Sequence, residues 1–254
     1  MSKPKYSALM TLTFLLLTSL LLLTASPAQQ DGDPCESLKR QQQEVEVRLR
    51  DWPNLARYRE ADTQLGPAVK GESRIVFLGD SITDNWNLSD SFAGKPYVNR
   101  GISGQTTPQI LLRFRQDVIA LKPKAVVILA GTNDIAENTG PITLEAIEDN
   151  LISMVELAQR NGIRVFLCSV LPAARYPWRP EIQPIEKIQS LNRWMREYAS
   201  QAGVEFLDYY SAMADQKSGL KEELGTDGVH PNRAGYAVMS QLASKKIAEV
   251  VSRK

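Results

Sequence analysis

The sequence predicts an α/β fold, one open parallel sheet with helices on both faces, and three features point to it. Five short apolar runs follow one another at residues 74–78, 97–99, 125–130, 165–169 and 204–207. Runs such as Ala125-Val126-Val127-Ile128-Leu129-Ala130 are apolar without alternation, as in parallel strands covered on both sides. Longer stretches with helical spacing separate them, near residues 108–121, 144–161, 185–202 and 232–251. Strand–helix alternation of this kind implies right-handed crossovers within one sheet. In such sheets ligands bind beyond the carboxyl ends of the strands, so the polar segments after each run are where function is expected.

The elements can be justified in order. Lys3 and Lys5 precede a Leu-rich run over residues 9–23, followed by Ala25-Ser26-Pro27-Ala28. A basic start, an apolar stretch and small residues describe a secretory signal peptide over residues 1–28, cut after Ala28, and hence a secreted or periplasmic protein. An uncleaved N-terminal membrane anchor is the alternative; after cleavage no stable membrane insertion is expected. Cys35 lacks the preceding Leu and small residues of a lipoprotein processing site, so lipidation is not expected. Residues 29–66 read as an N-terminal helical extension, with apolar positions at Leu38, Val45, Leu49, Leu55 and Tyr58. Trp52-Pro53 interrupts it, because proline cannot sit inside a helix. Asn161-Gly162 and Ala202-Gly203 are natural helix ends. Residues 67–254 show no internal repeat or linker and form one domain.

Composition narrows the function. Thirty Lys and Arg against 29 Asp and Glu give a formal charge of +1, which offers no field to gather nucleic acid. Two cysteines, Cys35 and Cys168, do not define a bridge, and no His/Cys cluster has metal-ligand spacing, so no metal is expected. Nothing in the composition reports the oligomeric state.

Four polar blocks follow the strands. Gly79-Asp80-Ser81-Ile82-Thr83 comes directly after the first run, where a helix N-terminus would offer unpaired N–H groups beside the Ser81 hydroxyl. Asn99-Arg100-Gly101-Ile102-Ser103-Gly104 follows the second, and Gly101 there would let a backbone N–H approach an anion. Gly131-Thr132-Asn133-Asp134 follows the third and presents the Asn133 amide. Asp227-Gly228-Val229-His230-Pro231 precedes the last helix. His230 is the only histidine, so a Ser81 nucleophile has no other imidazole to take its proton. A carboxylate three residues earlier, Asp227, can hold the ring. Taken singly, these blocks also suit a helix cap, a tight turn or a buried structural histidine.

Together, in this order, they resemble the SGNH hydrolases, the GDSL-type esterase and lipase family. Ile82 stands where the family name has Leu. The resemblance covers residues from about 74 to 251. It implies a flavodoxin-like three-layer α/β/α sandwich on a five-stranded parallel sheet, and cofactor-free hydrolysis of carboxylic esters. It also implies an oxyanion hole made by the Ser81 and Gly101 N–H groups and the Asn133 side chain. Trp86, Tyr176 and Trp178 are candidate substrate-binding residues, being aromatic and near the functional edge. With no large lid insertion, a short acyl or acetyl ester is favoured, on a small molecule or a carbohydrate. A lysophospholipase or acyl thioesterase with the same triad is the second reading, and a non-catalytic carbohydrate-binding domain the third.

Overall fold

The computed structural model describes residues 34–251. The expected leader at residues 1–28 and its cleavage site lie outside them. The elements are α1 (Pro34–Arg50), α2 (Arg59–Leu65), β1 (Ile75–Gly79), α3 (Ser81–Asp84), α4 (Leu88–Ser91), β2 (Tyr97–Gly101) and α5 (Thr107–Asp117). They continue with β3 (Ala125–Leu129), α6 (Thr132–Ile135), α7 (Leu144–Arg160), β4 (Arg164–Cys168), α8 (Ile185–Ala202), β5 (Glu205–Leu207), α9 (Tyr210–Met213) and α10 (Arg233–Val251).

All five strands are parallel, in the order β2-β1-β3-β4-β5. This is the flavodoxin-like doubly wound order, and its strand order reverses between β1 and β3. The crevice at that reversal is where the Ser81 and Asn133 blocks emerge. The central strands β1, β3 and β4 bury both faces, as their unbroken apolar runs require, while the edge strands β2 and β5 stay partly exposed. Val76, Leu78, Val126, Ile128, Val165 and Leu167 face α5, α7 and α8 through Ile110, Phe114, Leu151, Met154 and Leu191. Their neighbours in sequence, Ile75, Phe77, Val127, Leu129 and Phe166, face the opposite layer with Trp86, Phe92, Met213, Met239 and Ile247. Each such side chain contributes about 1.5–3 kcal/mol on full burial.

The differences from the predicted boundaries have physical causes. β2 runs two residues past Asn99 because Arg100 and Gly101 continue the ladder opposite Leu78 and Gly79. The Arg100 charge is tolerated there because Asp62 accepts from its Nη2 at 2.6 Å. α5 ends at Asp117 rather than near residue 121, and a 3-10 turn over Ile119–Leu121 finishes the stretch. The helices α3, α6 and α9, four residues each, show no periodicity that a sequence pattern could reveal.

Candidate active site

Asp80 caps α3, its Oδ1 accepting the Ile82 N–H at 3.0 Å, and so fixes the turn that carries Ser81. Ser81 is the first helical residue, and among the described residues nothing accepts from its N–H. Across the crevice, the amide Nδ2 of Asn133 donates to the Gln105 carbonyl at 3.0 Å and lies 3.2 Å from Asp80 Oδ2. The Asn133 Oδ1 accepts from Asn138 Nδ2 at 2.7 Å, which sets the orientation of the amide.

The loop before α10 brings in the imidazole. Asp227 Oδ1 accepts the backbone N–H groups of His230 at 2.8 Å and Val229 at 3.0 Å, curling the loop around one carboxylate. The Thr226 N–H donates to the His230 carbonyl at 2.9 Å and closes the loop. Asn232 then caps α10 by accepting from Ala234 and Gly235. From this frame His230 Nδ1 lies 2.7 Å from Asp227 Oδ2, and its Nε2 lies 2.9 Å from Ser81 Oγ, 149 residues away in sequence. The Tyr236 hydroxyl, one turn into α10, donates to the Ile82 carbonyl at 2.9 Å and ties that helix to the serine turn.

The carboxyl groups divide by environment. Burial pushes Asp80 up to about 7, against the Ile82 N–H and the His230 charge, which act the other way. Asp134, also buried, is pushed up to about 6, offset by bonds from the Thr107 hydroxyl and N–H. For Asp227 partial burial also acts upward, but the bonds from the His230 N–H, its ring and the Val229 N–H prevail and hold it below the usual carboxylate range. Chemically, the arrangement offers a hydroxyl, a base in contact with it and an anchored carboxylate behind the base. Among the described residues no group of three or more His, Cys, Asp or Glu could hold a metal ion.

The expected site residues do not all fall in one place. Ser81, Asp227, His230 and Asn133 converge at the crevice. Gly101 needs correction. Its N–H already donates to Asn99 Oδ1 at 2.8 Å and its carbonyl accepts from the Tyr58 hydroxyl, so it has no donor to offer an oxyanion. It is glycine for packing, since a Cβ there would lie 2.1 Å from the Asp84 nitrogen. Gly104, three residues on, was missed. It has φ +79°, is exposed, and among the described residues nothing accepts from its N–H. A second glycine in the same block is a signal the sequence did contain.

Trp86 is also corrected. It is 3% exposed, packs against Phe77, Phe92 and Tyr236, and donates its indole N–H to Ser91, so it belongs to the core. Tyr176 is fully buried and cannot meet a substrate directly; instead its ring stacks under Trp178 at 5.3 Å. Trp178 is 40% exposed, and its ring centre lies 6.0 Å from that of His230. The Trp178 indole N–H donates to Asn138 Oδ1, so Asn138 joins Trp178 to Asn133. No sequence pattern marked Asn138.

Among the described residues no helix is long and apolar enough to cross a membrane. Comparison with known proteins gives consistent matches. Residues 77–238 match the model of the GDSL-like Lipase/Acylhydrolase family. The crystal structure of a GDSL-like lipase from Bacteroides thetaiotaomicron is 45% identical, with a TM-score of 0.76, covering 78% of this chain and 99% of that one. The uncharacterized lipoprotein YqeF of Bacillus subtilis is 32% identical over 122 residues, 41% of this chain and 50% of that protein. An acetylxylan esterase of Geobacillus stearothermophilus is 27% identical over 208 residues, 68% of this chain and 93% of that protein. The chain spans about half the length of the first two curated relatives it matches.

Proposed function

The chain belongs to the GDSL-like lipase/acylhydrolase family, and from that premise we propose that it hydrolyses carboxylic esters, short acyl groups such as acetate carried on a carbohydrate in particular. The observation that carries the reading is the relay of two contacts, 2.9 Å from Ser81 Oγ to His230 Nε2 and 2.7 Å from His230 Nδ1 to Asp227 Oδ2.

Ser81 Oγ attacks the ester carbonyl carbon while its proton passes to His230 Nε2. Asp227 holds the Nδ1–H and balances the imidazolium charge. The oxyanion accepts from the Ser81 N–H, the Gly104 N–H and the Asn133 amide, which turns from its 3.2 Å contact with Asp80. The alcohol leaves with the proton from His230. A water then attacks the acyl-enzyme, giving its proton to His230, and the carboxylic acid departs as Oγ is regenerated. Trp178 flanks the imidazole and meets the bound ester.

The acetyl-carbohydrate assignment draws its support from the acetylxylan esterase similarity. Action outside the cytoplasm draws on the N-terminal leader pattern and on the kinship with a lipoprotein. The test is a panel of acetylated sugars, lysophospholipids and acyl thioesters with wild type and Ser81→Ala, alongside a fluorophosphonate probe. Acid release from the acetylated sugars that vanishes in Ser81→Ala, with labelling at Ser81, is the expected result. Faster turnover of long-chain esters points to the lysophospholipase or thioesterase reading, and absence of labelling to a binding domain.

A further inference from the structure

Beside the Ser81 crevice lies a cavity of about 670 Å³, of whose lining the hydrolytic chemistry uses only Gly104. Its size falls in the range of about 300–1,000 Å³ typical of small-molecule sites. One wall is the segment over residues 51–56, ahead of α2, which contributes Trp52 and Asn54. Facing it are Gln105, Gln109, Asn138 and Thr139. The cavity adjoins the reaction centre by two routes. Gly104 lines it, and Asn138 donates to the Asn133 amide oxygen.

We propose that this cavity receives the sugar ring of the ester's alcohol portion, with Trp52 as the face on which the ring stacks. The identity of that alcohol rests on the esterase reading above; the capacity to bind a sugar does not. Three observations support it. First, the wall is built rigidly. The Trp52 carbonyl accepts from Gln109 Nε2 at 2.8 Å, the Pro53 carbonyl from Gln105 Nε2 at 2.7 Å, and the Leu55 carbonyl from Gln116 Nε2 at 2.8 Å. Asp51 caps the turn by accepting the Leu55 and Ala56 N–H groups at 2.7 and 2.9 Å. Asn54 holds φ +55°, a left-handed conformation that Asn tolerates better than most residues.

Second, the indole borne by this fixed backbone is itself uncovered. Trp52 is 40% exposed, and among the described residues nothing accepts from its indole N–H. A rigid, exposed aromatic with an open donor is a contact surface held ready at low entropic cost. Third, the facing side chains are amides and a hydroxyl. A polyhydroxylated ring can pair with them while its C–H face lies on the indole. Each amide keeps one N–H beyond the bond it makes within the protein, and an aliphatic chain would give those N–H groups no acceptor. The spare N–H groups and the indole face together suit a sugar better than a fatty acyl chain.

The experiment titrates a neutral xylo-oligosaccharide into wild type, Trp52→Ala and Trp52→Phe, following binding by calorimetry, with thermal melts to verify folding. Saturable binding by wild type, weakened about tenfold in Trp52→Ala and largely kept in Trp52→Phe, is expected for the loss of one stacking face. Equal affinity in folded Trp52→Ala, or no binding by wild type, overturns the proposal. Hydrolysis of vinyl acetate, whose small alcohol does not reach the cavity, reports separately on the esterase reading. Its absence sinks that reading, while Trp52-dependent sugar binding stands without it.

Discussion

The two halves of the candidate site are built on opposite principles. The serine half is interior. Asp80, Asn133, Asp134 and Thr107 are nearly or fully buried, and Arg113, at 0% exposure, donates to the carbonyls of Gly79 and Arg100, to Gln105 and to Asp117. One guanidinium thereby holds the ends of β1 and β2 together with the loop that carries Gly104. The histidine half is peripheral. The His230 and Asp227 side chains are 25% and 39% exposed, and their loop is shaped by its own main-chain bonds to Asp227. The position of the serine is thus fixed by contacts across the whole domain, and that of His230 by a five-residue curl closed from Thr226 to His230. Damage to the Arg113 network of the first half should appear as lost stability, and damage to the histidine loop as lost activity in a folded protein.

The largest expected effect breaks this comparison most cleanly. His230→Ala should lower kcat on the order of 10⁴ or more, yet leave the melting temperature close to that of wild type, since the ring is partly solvated. A collapse of folding in that variant would contradict the peripheral assignment. Arg113→Leu should do the converse, costing about 3–5 kcal/mol because Asp117 is left as an uncompensated buried charge. A urea midpoint equal to that of wild type would show that the interior network is dispensable. Asn133→Ala should reduce kcat by about 10²–10³ with little change in KM, as for loss of one oxyanion donor; a pure KM effect would remove Asn133 from the transition state.

The smallest effect separates the halves by the sign of their pH dependence. Asp80, pushed up to about 7, keeps its proton in the folded state after the unfolded chain has released it, so its stabilisation is full in acid and lost as pH rises through 7. Asp227, held low, contributes above the normal carboxylate range and loses its contribution on acidification. Unfolding free energies at successive pH values should therefore show wild type losing up to about 1.4 kcal/mol per pH unit just below neutrality relative to Asp80→Asn. Parallel profiles for the two proteins would refute the buried acid.

What could be read from the sequence was whatever depended on chain order. Ser81, Asn133 and the Asp227–His230 loop each follow a strand or enter a helix, and parallel topology delivers such positions to one edge. The five strands were legible for the same reason, because apolar runs covered on both sides have no competing pattern. Choices between neighbours were not. Gly101 ends β2 and Gly104 lies in the turn that follows, and only the bond from the Gly101 N–H to Asn99 tells which is already engaged. Trp86 was misjudged because an aromatic just after a functional block can turn inward or outward, and the Phe77 and Phe92 rings that draw it inward are visible only in three dimensions. The closeness of residues 51–56 to the crevice depends on Gln105, Gln109 and Gln116, more than fifty positions downstream, which no local periodicity encodes.

The bond from the Tyr236 hydroxyl to the Ile82 carbonyl has a consequence for the order in which the molecule becomes competent. It stitches α10 to the turn bearing Ser81, the proposed nucleophile, and His230 reaches its place on the segment leading into that helix. A ribosome has therefore made the entire sheet before any base can approach the hydroxyl. On the proposed mechanism the emerging polypeptide carries a dormant alcohol, and hydrolytic power arrives only when α10 and the loop before it dock.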